Sequence, residues 1–364
     1  MPDASAFSPD YVSARARFRA SALARRADLE HHPIDALGPD GEDLSVDVAR
    51  IGSPDAQTVV VVSSGLHGME GYVGSAIQAA LLEEALGKWR PPSDCSLMLI
   101  HALNPWGMAW GRRVNEGNVD LNRNFLLGDA SWRGLPPGYG QVDTVLNPRT
   151  PPSAMDPLWP KALWQGLQRG TNSVQAIASQ GQYERPKGIF YGGSAPAPTA
   201  VLLREQLQRW FGPARSILHL DLHAGIGPRG KYVLVTRHVA DAPEMRRLES
   251  AFGAETLVPM PDEGTSVRGE MVPWLAQHLG SDRYEGLVVE FGTVGPMKLL
   301  EALRDENRAH HHAEPDHPSA ERAREKLQRA LNPIDPRWRT RVVKHGVRLV
   351  QRALQVQLGA TMSD

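Results

Sequence analysis

Three short segments of the sequence carry residues that together can bind a metal ion and activate water. His67 and Glu70 lie three positions apart, and His223 follows a second apolar run much later in the chain. Two imidazoles and one carboxylate are a catalytic zinc set, because they leave the fourth position of the ion open. Glu290 ends a third apolar run and offers a carboxylate that can take a proton from water. This combination favours hydrolytic chemistry.

The segments that must position these residues alternate between predicted strands and predicted helices. Short, β-branched apolar runs such as Val59 to Val62 indicate strands. Strands are predicted at 43–51, 57–64, 95–102, 216–222, 231–237 and 285–291. Helices are predicted at 69–87, about 159–179, 197–211, 242–253, 268–279 and 296–309. This alternation predicts an α/β fold with a mixed, mostly parallel twisted sheet flanked by helices.

The candidate ligands are predicted at strand ends, where open α/β sheets bind their ligands. Gly65 and Gly68 allow the backbone to turn so that His67 and Glu70 can reach one cation. His223 closes the strand that starts at 216 and is the best third ligand. All three side chains are therefore expected at the same edge of the sheet.

The strand that ends at His223 places two more polar side chains on the same side. Because side chains alternate along a strand, His219, Asp221 and His223 point one way. His219 lies deeper in the strand and is predicted to be a hydrogen-bonded core histidine. Zinc-bound imidazoles normally donate their second N–H to a carboxylate or a carbonyl, and Asp120 is a candidate for that partner.

Other interpretations of these residues remain open. His311 and Glu314 repeat the spacing of His67 and Glu70, but their polar neighbours indicate an exposed segment that follows a helix and binds metal only adventitiously. A carboxylate that ends an apolar strand, such as Glu290, can also be satisfied by backbone donors or an arginine. We favour a single metal site over a second ion held by His219, Asp221 or the 310–317 segment.

Composition argues against several classes of partner. The 364 residues include 40 basic and 41 acidic side chains, so no bulk charge attracts nucleic acid or an anionic membrane. No apolar run approaches the roughly 20 residues of a membrane span, and the N-terminus lacks the apolar stretch of a secretory signal. The single cysteine, Cys95, lies in an apolar run and rules out a disulfide within the chain. We expect a cytoplasmic protein without nucleic-acid or membrane partners.

The predicted domain organisation is a hydrolase domain at 1–318 with a helical extension at 319–364 packed on it. Residues 11–27 resemble a transit peptide in composition, but Tyr11, Phe18 and Leu23 can dock on the fold. The last predicted helix has apolar positions from Val343 to Leu354 among arginines, which favours a packed helix over one on a membrane surface. Two loops rich in Gly and Pro, 126–160 and 181–199, can wall a pocket.

Several motifs, in this order, resemble those of the zinc metallocarboxypeptidase superfamily. They are His67-x-x-Glu70, Asp120-Leu121-Asn122-Arg123-Asn124-Phe125, His223 and Glu290. The exact residues of these motifs are most similar to those of a bacterial branch of the superfamily whose function is unknown. The segments that carry this similarity are Gly65 to Gly71, Asn104-Pro105-Trp106-Gly107, Arg112-Arg113-Val114-Asn115 and Asp221 to Gly225. The resemblance covers about residues 10–310. Aspartoacylase and succinylglutamate desuccinylase are similar in the same places.

The resemblance implies a zinc-carboxypeptidase-like fold, a Zn²⁺ cofactor and a role for each matching position. Zinc would be bound by His67, Glu70 and His223. Glu290 would be the general base, and Arg113, with Arg112 as its rival, would steady the carbonyl oxygen. The substrate carboxylate would be gripped by Asn122 and Arg123, and Asp120 would orient His67. The mobile tyrosine of the classical enzymes has no clear counterpart, although Tyr232 and Tyr284 lie in the right interval.

The expected function is therefore zinc-dependent hydrolysis of a peptide or amide bond next to a free carboxylate. A small peptide or an N-acyl amino acid would be the substrate. One alternative is an N-acyl amino-acid deacylase with the same residues and a smaller pocket. The other is an inactive binding module on the same fold, which the intact set of candidate residues argues against.

Overall fold

The computed structural model describes residues 3–87, 89–153, 177, 179–259, 267–314 and 316–358. The strands in these ranges are β1 (Asp28–Leu37), β2 (Asp43–Gly52), β3 (Thr58–Ser64), β4 (Cys95–His101), β5 (Ser216–Gly225), β6 (Tyr232–Val235), β7 (Leu257–Val258) and β8 (Tyr284–Gly292). They form one sheet in the order β1-β2-β4-β3-β5-β8-β6-β7. The β4-β3, β3-β5, β5-β8 and β6-β7 pairs are parallel, whereas β1-β2, β2-β4 and β8-β6 are antiparallel. The predicted mixed, mostly parallel sheet is confirmed.

Helices cover both faces of this sheet. They are α1 (Tyr11–Ala24), α2 (Gly71–Ala80), α3 (Pro105–Ala109), α4 (Tyr139–Leu146), α5 (Pro198–Phe211), α6 (Pro243–Phe252), α7 (Met271–Leu279), α8 (Pro296–His312), α9 (Pro318–Leu331) and α10 (Pro336–Leu358). Val60 and Val62 of β3 pack in one apolar cluster with α1, α2, α6 and α10. Val59 and Val61 pack in a second cluster with α5 and α7. Because both faces of β3 are buried, its sequence is apolar throughout.

Some elements differ from the sequence-based expectation. Strand β1 was not predicted, because its charged residues and Pro33 are typical of an edge strand, and it pairs only with β2. Helix α4 lies within the segment 126–160 that was predicted to be a loop. The helix predicted at about 159–179 lies outside the described residues except for Ile177 and Ser179.

Both terminal helices pack on the sheet. In α1, Tyr11 and Phe18 are buried as predicted, but Leu23 is 60% exposed and does not dock. In α10, the predicted apolar positions from Val343 to Leu354 include buried side chains at each turn. Gly346 of the same helix packs closely against α2, because a Cβ at Gly346 would lie 2.4 Å from Cδ1 of Ile77. The Trp338 indole N–H donates to the carbonyl oxygen of Gly292 at 2.9 Å. The domain boundary at 318 stays a prediction.

None of the helices in the described ranges combines the length and the apolar composition that a membrane span requires.

Candidate metal centre

His67 and Glu70 lie in a tight turn between β3 and α2. Gly65 has φ +69°, a left-handed conformation that favours glycine and turns the chain at the end of β3. Gly68 packs against the backbone of Gly107, where a Cβ would come within 2.0 Å of its carbonyl carbon. The 3-10 turn Gly68–Glu70 then leads directly into α2. This turn brings both side chains over the carboxyl end of β3.

His223 joins them because β3 and β5 are neighbouring parallel strands, with Ser64 opposite Leu222. The Nδ1 atoms of His67 and His223 are 3.2 Å apart. The Glu70 carboxylate lies 3.1 Å from each of them, through Oε1 for His67 and Oε2 for His223. Ligand atoms bound to a tetrahedral zinc at roughly 2.0–2.1 Å are about 3.3 Å apart. These three buried side chains therefore form a group that can hold a metal ion.

The second nitrogen of each imidazole contacts a buried carboxylate. His67 Nε2 lies 3.0 Å from Asp120 Oδ1, as predicted for the pair, and His223 Nε2 lies 2.6 Å from Asp221 Oδ2. If both Nε2–H groups donate to these oxygens, both Nδ1 lone pairs face the Glu70 carboxylate. Converging acceptors repel one another unless a cation lies between them, so the donor set fits a metal ion.

The charges around the centre keep its carboxylates ionised. Burial opposes ionisation of Glu70, but the His67 imidazole and the Arg113 guanidinium beside it lower the pKa of its carboxyl. Burial likewise opposes ionisation of Asp120, yet Arg113 and His67 hold its pKa well below the ordinary value. For His223, the Asp221 carboxylate outweighs burial and raises the imidazole pKa well above its usual range. The centre is therefore built to stabilise positive charge beside fixed carboxylates.

A chain of buried hydrogen bonds continues behind His223. The Ser63 hydroxyl donates to Asp221 Oδ1 at 2.5 Å and accepts from His219 Nε2 at 2.7 Å. Nδ1 of His219 in turn accepts from the Tyr284 hydroxyl at 2.7 Å. Burial lowers the pKa of His219 to about 4, so its ring is neutral and can donate and accept at once. His219 is thus a hydrogen-bonded core residue, as predicted, and the chain holds Asp221 in one orientation.

We expect Asp221→Asn to weaken zinc binding by about 10–100-fold, the usual effect of removing a carboxylate that orients a ligand histidine. Asparagine is the same size but carries no charge to stabilise the His223 imidazole. The measurement is the zinc dissociation constant by chelator competition. Ser63→Ala is the matched control, because it removes only the next bond in the chain and should have a smaller effect. An unchanged dissociation constant for Asp221→Asn would contradict the assigned contact.

Glu290 lies at the end of β8, directly opposite His223 in the parallel β5-β8 pair. Its Oε2 accepts a hydrogen bond from the backbone N–H of Ile226 at 3.3 Å. No arginine pairs with it among the residues that the structure describes. Burial, together with the charge of Glu70, raises the pKa of Glu290. A carboxylate of this kind is a suitable proton acceptor.

The structure separates the two candidate arginines. The backbone carbonyls of Arg112 and Arg113 accept hydrogen bonds from the backbone N–H groups of Met69 and Gly68, which holds this segment beside the ligand turn. Arg113 Nη1 donates to Glu70 Oε1 at 2.7 Å, and its Nε donates to Asp120 Oδ2 at 3.3 Å.

Arg112 is directed away from this centre. Its Nε donates to Glu306 Oε1 at 2.6 Å, and its Nη2 donates to Asn118 Oδ1 at 3.2 Å. Arg113 therefore faces the metal centre, and Arg112 belongs to a buried ion pair with α8.

The 3-10 turn Leu121–Arg123, which Asp120 caps, lies beside the centre. Arg123 donates from Nε to the carbonyl of Ser179 at 2.9 Å and from Nη1 to the carbonyl of Asn122 at 2.6 Å. Asn122 accepts from the backbone N–H of Met271 through Oδ1 at 3.0 Å, so it positions the start of α7. Arg123 lines the adjoining cavity, whereas Asn122 is not among the described lining residues.

A cavity of about 130 Å³ adjoins the metal centre. Its polar wall comprises Glu70, Arg113, Arg123 and Glu290. Its other lining residues are Ser179, Phe190, Ala224, Gly225, Ile226, Pro296, Leu299, Leu300 and Leu303. Of the two loops predicted to wall a pocket, 181–199 contributes Phe190, and 126–160 contributes none of the described lining residues. The predicted catalytic and carboxylate-binding side chains, apart from Arg112 and Asn122, thus meet at one cavity.

Three groups raised by the sequence lie away from this cavity. Tyr284 belongs to the buried chain behind His223, and Tyr232 packs against Phe291. The segment that contains His311 was predicted to follow a helix and to be exposed. Instead, His311 belongs to the last turn of α8 and is partly buried, and only the residues after His312 follow the helix. Within the described ranges, His67, Glu70 and His223 are the group found able to hold a metal ion.

Comparison with solved structures places the fold among carboxypeptidase A-like proteins. Carboxypeptidase A from Helicoverpa armigera superposes with a TM-score of 0.53 at 12% identity, covering 98% of this chain and 74% of that one. A proposed metallopeptidase from Shewanella amazonensis SB2B gives 0.47 at 14% identity, covering 89% and 94%. Bovine thrombin-activatable fibrinolysis inhibitor gives 0.46 at 12% identity, covering 94% and 98%.

Sequence comparison identifies the family. Residues 7–345 match the family described as protein of unknown function DUF2817, and the chain belongs to that family. No curated protein matches the sequence. The resemblance to a branch of unknown function with a zinc-carboxypeptidase-like fold is confirmed.

Proposed function

We propose that this protein is a zinc-dependent hydrolase that cleaves a peptide or amide bond next to a free carboxylate. The observation that supports this best is the convergence of His67, Glu70 and His223 on one point, beside a cavity lined by Glu290 and Arg113. Zinc is favoured over other divalent ions by the ligand types, two imidazoles and one carboxylate.

Glu290 is the proposed general base. When bound at the centre, a zinc ion would lower the pKa of water towards neutrality and polarise a carbonyl group. Glu290 accepts the proton from water at its carboxylate and returns it to the leaving amine. Its raised pKa favours the first of these transfers, because the carboxylate binds the proton more readily than an exposed glutamate does.

The arginines bind the charged parts of the substrate. Arg113 stabilises the negative charge that develops on the carbonyl oxygen, and one such donor in a dry site contributes about 3–4 kcal/mol. Arg123 binds the substrate carboxylate through the guanidinium N–H groups that do not donate to Ser179 and Asn122. Asn122 does not line the cavity and instead holds the start of α7. Asp120 orients His67 through the bond to Nε2.

An N-acyl amino-acid deacylase is the second candidate. It would use the same residues with a smaller pocket. An inactive binding module is the third candidate, but the complete set of ligands and base argues against it. The peptidase and the deacylase differ in their substrates, whereas both would use the same metal ligands, base and arginines.

Metal analysis followed by a paired substrate screen tests the proposal. We expect protein purified without an affinity tag to retain about one zinc per chain. The zinc-loaded protein is then assayed on N-blocked dipeptides and on N-acyl amino acids, with the chelated protein as the control. Turnover that disappears on chelation supports the proposal, and the better substrate class separates peptidase from deacylase. Inertness toward both classes would contradict hydrolysis and favour the binding module.

The proposal also covers the binding partners and the cellular location of the protein. We propose a cytoplasmic enzyme that acts on small substrates without nucleic-acid or membrane partners. The nearly balanced charge of the chain supports this assignment. Cell fractionation tests it, and recovery of the protein outside the cytoplasmic fraction would contradict it.

A further inference from the structure

A second, open pocket lies between α4, the turn 184–188 and the end of α8. Its volume is about 580 Å³, and none of its lining residues also lines the cavity beside the metal centre. The proposed hydrolysis therefore gives this pocket no role. Its charged and titratable lining residues are Asp143, Arg149, Glu184, Arg185, Lys187 and His312.

The acidic groups of this pocket are already bound by protein side chains. Asp143 accepts hydrogen bonds from Arg185 Nε at 3.1 Å and from the Asn147 amide at 2.7 Å. The Glu184 carboxylate lies 4.0 Å from Arg185 Nη1. Arg185 is thus the counter-ion of both carboxylates, and these three side chains largely neutralise one another.

The remaining cations of the pocket lack a carboxylate partner. Within the described ranges, neither Arg149 nor Lys187 forms an ion pair. Burial lowers the pKa of the His312 imidazole, and the positive charges of Lys187, Arg308 and Arg149 lower it further. The end of α8 therefore faces positive charge that could be offset by a bound anion.

Arg112 places a buried guanidinium behind the wall of the pocket. Its side chain is only 3% exposed. Its Nη2 donates to Asn118 Oδ1, and the Asn118 amide donates to the carbonyls of Pro186 and Gly188, which line the pocket.

Two buried nitrogen atoms in this region are left without a hydrogen-bond partner. Although Glu306 binds the Nε of Arg112, the Nη1 of Arg112 has no partner among the residues that the structure describes. The same is true of Nε2 of His311. Buried polar groups normally have a partner, and a bound ion is one way to supply it.

We propose that this pocket binds a small anion that carries a phosphate group. Such a group has about −1.5 to −2 charges near neutral pH and three acceptor oxygens, which suit the donors of Arg149, Lys187 and His312. Charge-assisted bonds of this kind are stronger than those between neutral groups. The volume of the pocket leaves room for an organic part of the ligand as well. This inference does not depend on the proposed hydrolysis.

Calorimetry on the zinc-loaded full chain tests the proposal, with inorganic phosphate as the probe and chloride holding the ionic strength constant. Chelating the zinc should leave phosphate binding unchanged, because the pocket shares no residue with the metal centre. The double variant Arg149→Gln and Lys187→Gln should weaken binding by at least about tenfold, through the loss of charge-assisted bonds.

A second double variant, Arg322→Gln and Arg324→Gln, is the matched control. It removes the same charge from two exposed positions of α9 that do not line the pocket, so phosphate should bind to it as to the wild-type chain. No detectable binding, binding that is lost on chelation, or equal weakening in both variants would overturn the proposal. Equal affinity for succinate, which is also a dianion, would overturn the assignment to a phosphate group.

NMR titration gives a second readout at the pocket itself. Phosphate in the pocket should raise the pKa of His312, because it offsets the charges of Lys187 and Arg149 that lower this pKa. The His312 signal is assigned by comparison with His312→Asn. An unchanged His312 pKa at saturating phosphate would contradict binding at this site.

Discussion

Replacing His223 with alanine is expected to abolish zinc retention during purification. The imidazole is one of three protein ligands, and an even share of the roughly 10–16 kcal/mol of a four-ligand zinc site is about 3–4 kcal/mol. Zinc affinity should then fall by roughly 10²–10³-fold. Elemental analysis of the dialysed protein measures the loss, and His67→Ala should behave in the same way.

His311→Ala is the matched control for the metal experiment. His311 stands three residues before Glu314, the same spacing as in the ligand pair, but it lies in the last turn of α8. This variant should keep its zinc. Unchanged zinc content in His223→Ala would refute the ligand assignment, and loss in His311→Ala would show that the assay reports adventitious binding.

Glu290→Gln is expected to keep zinc and to lower kcat by about 10²–10⁴-fold, the usual contribution of a general base. Glutamine matches glutamate in shape but cannot accept the proton. Glu285→Gln is the matched control, since Glu285 lies on the same strand and bonds to His238 outside the cavity. A fully active Glu290→Gln enzyme would remove Glu290 as the base.

The pH dependence of the wild-type enzyme gives a second measure of Glu290. The base works only when deprotonated, so kcat/KM should fall as the pH decreases through its pKa. Because burial raises that pKa above the ordinary 4.5, activity should be lost at a higher pH than for an exposed glutamate.

The juxtaposition of the candidate ligands could be predicted because it depends on local rules. His67, His223 and Glu290 each follow or end an apolar strand, and the carboxyl ends of parallel strands meet at one sheet edge. The contact between Asp120 and His67 was also predicted, although from the resemblance and the general behaviour of ligand histidines. Their roles as ligands, base and positioning residue stay predictions.

Other parts of the site depend on contacts between distant residues. The direction of Arg113 is set by backbone bonds to the ligand turn, which two adjacent arginines in a sequence do not reveal. The role of Asp221 had a sequence signal, since it alternates with His223, but that signal did not identify its partner. Phe190 and the α8 leucines reach the cavity only through tertiary packing, and nothing in their local sequence indicates this.

The position of α10 has a consequence for where the structural unit ends. The family match stops at residue 345, yet the helix continues to Leu358. Val347, Val350 and Leu354 in these later turns are buried in the core. Trp338, earlier in the same helix, bonds to the residue that closes the β8 strand. A chain cut at residue 345 would remove these buried side chains and expose the apolar surface that they cover, so the folded unit extends beyond the segment that matches the family.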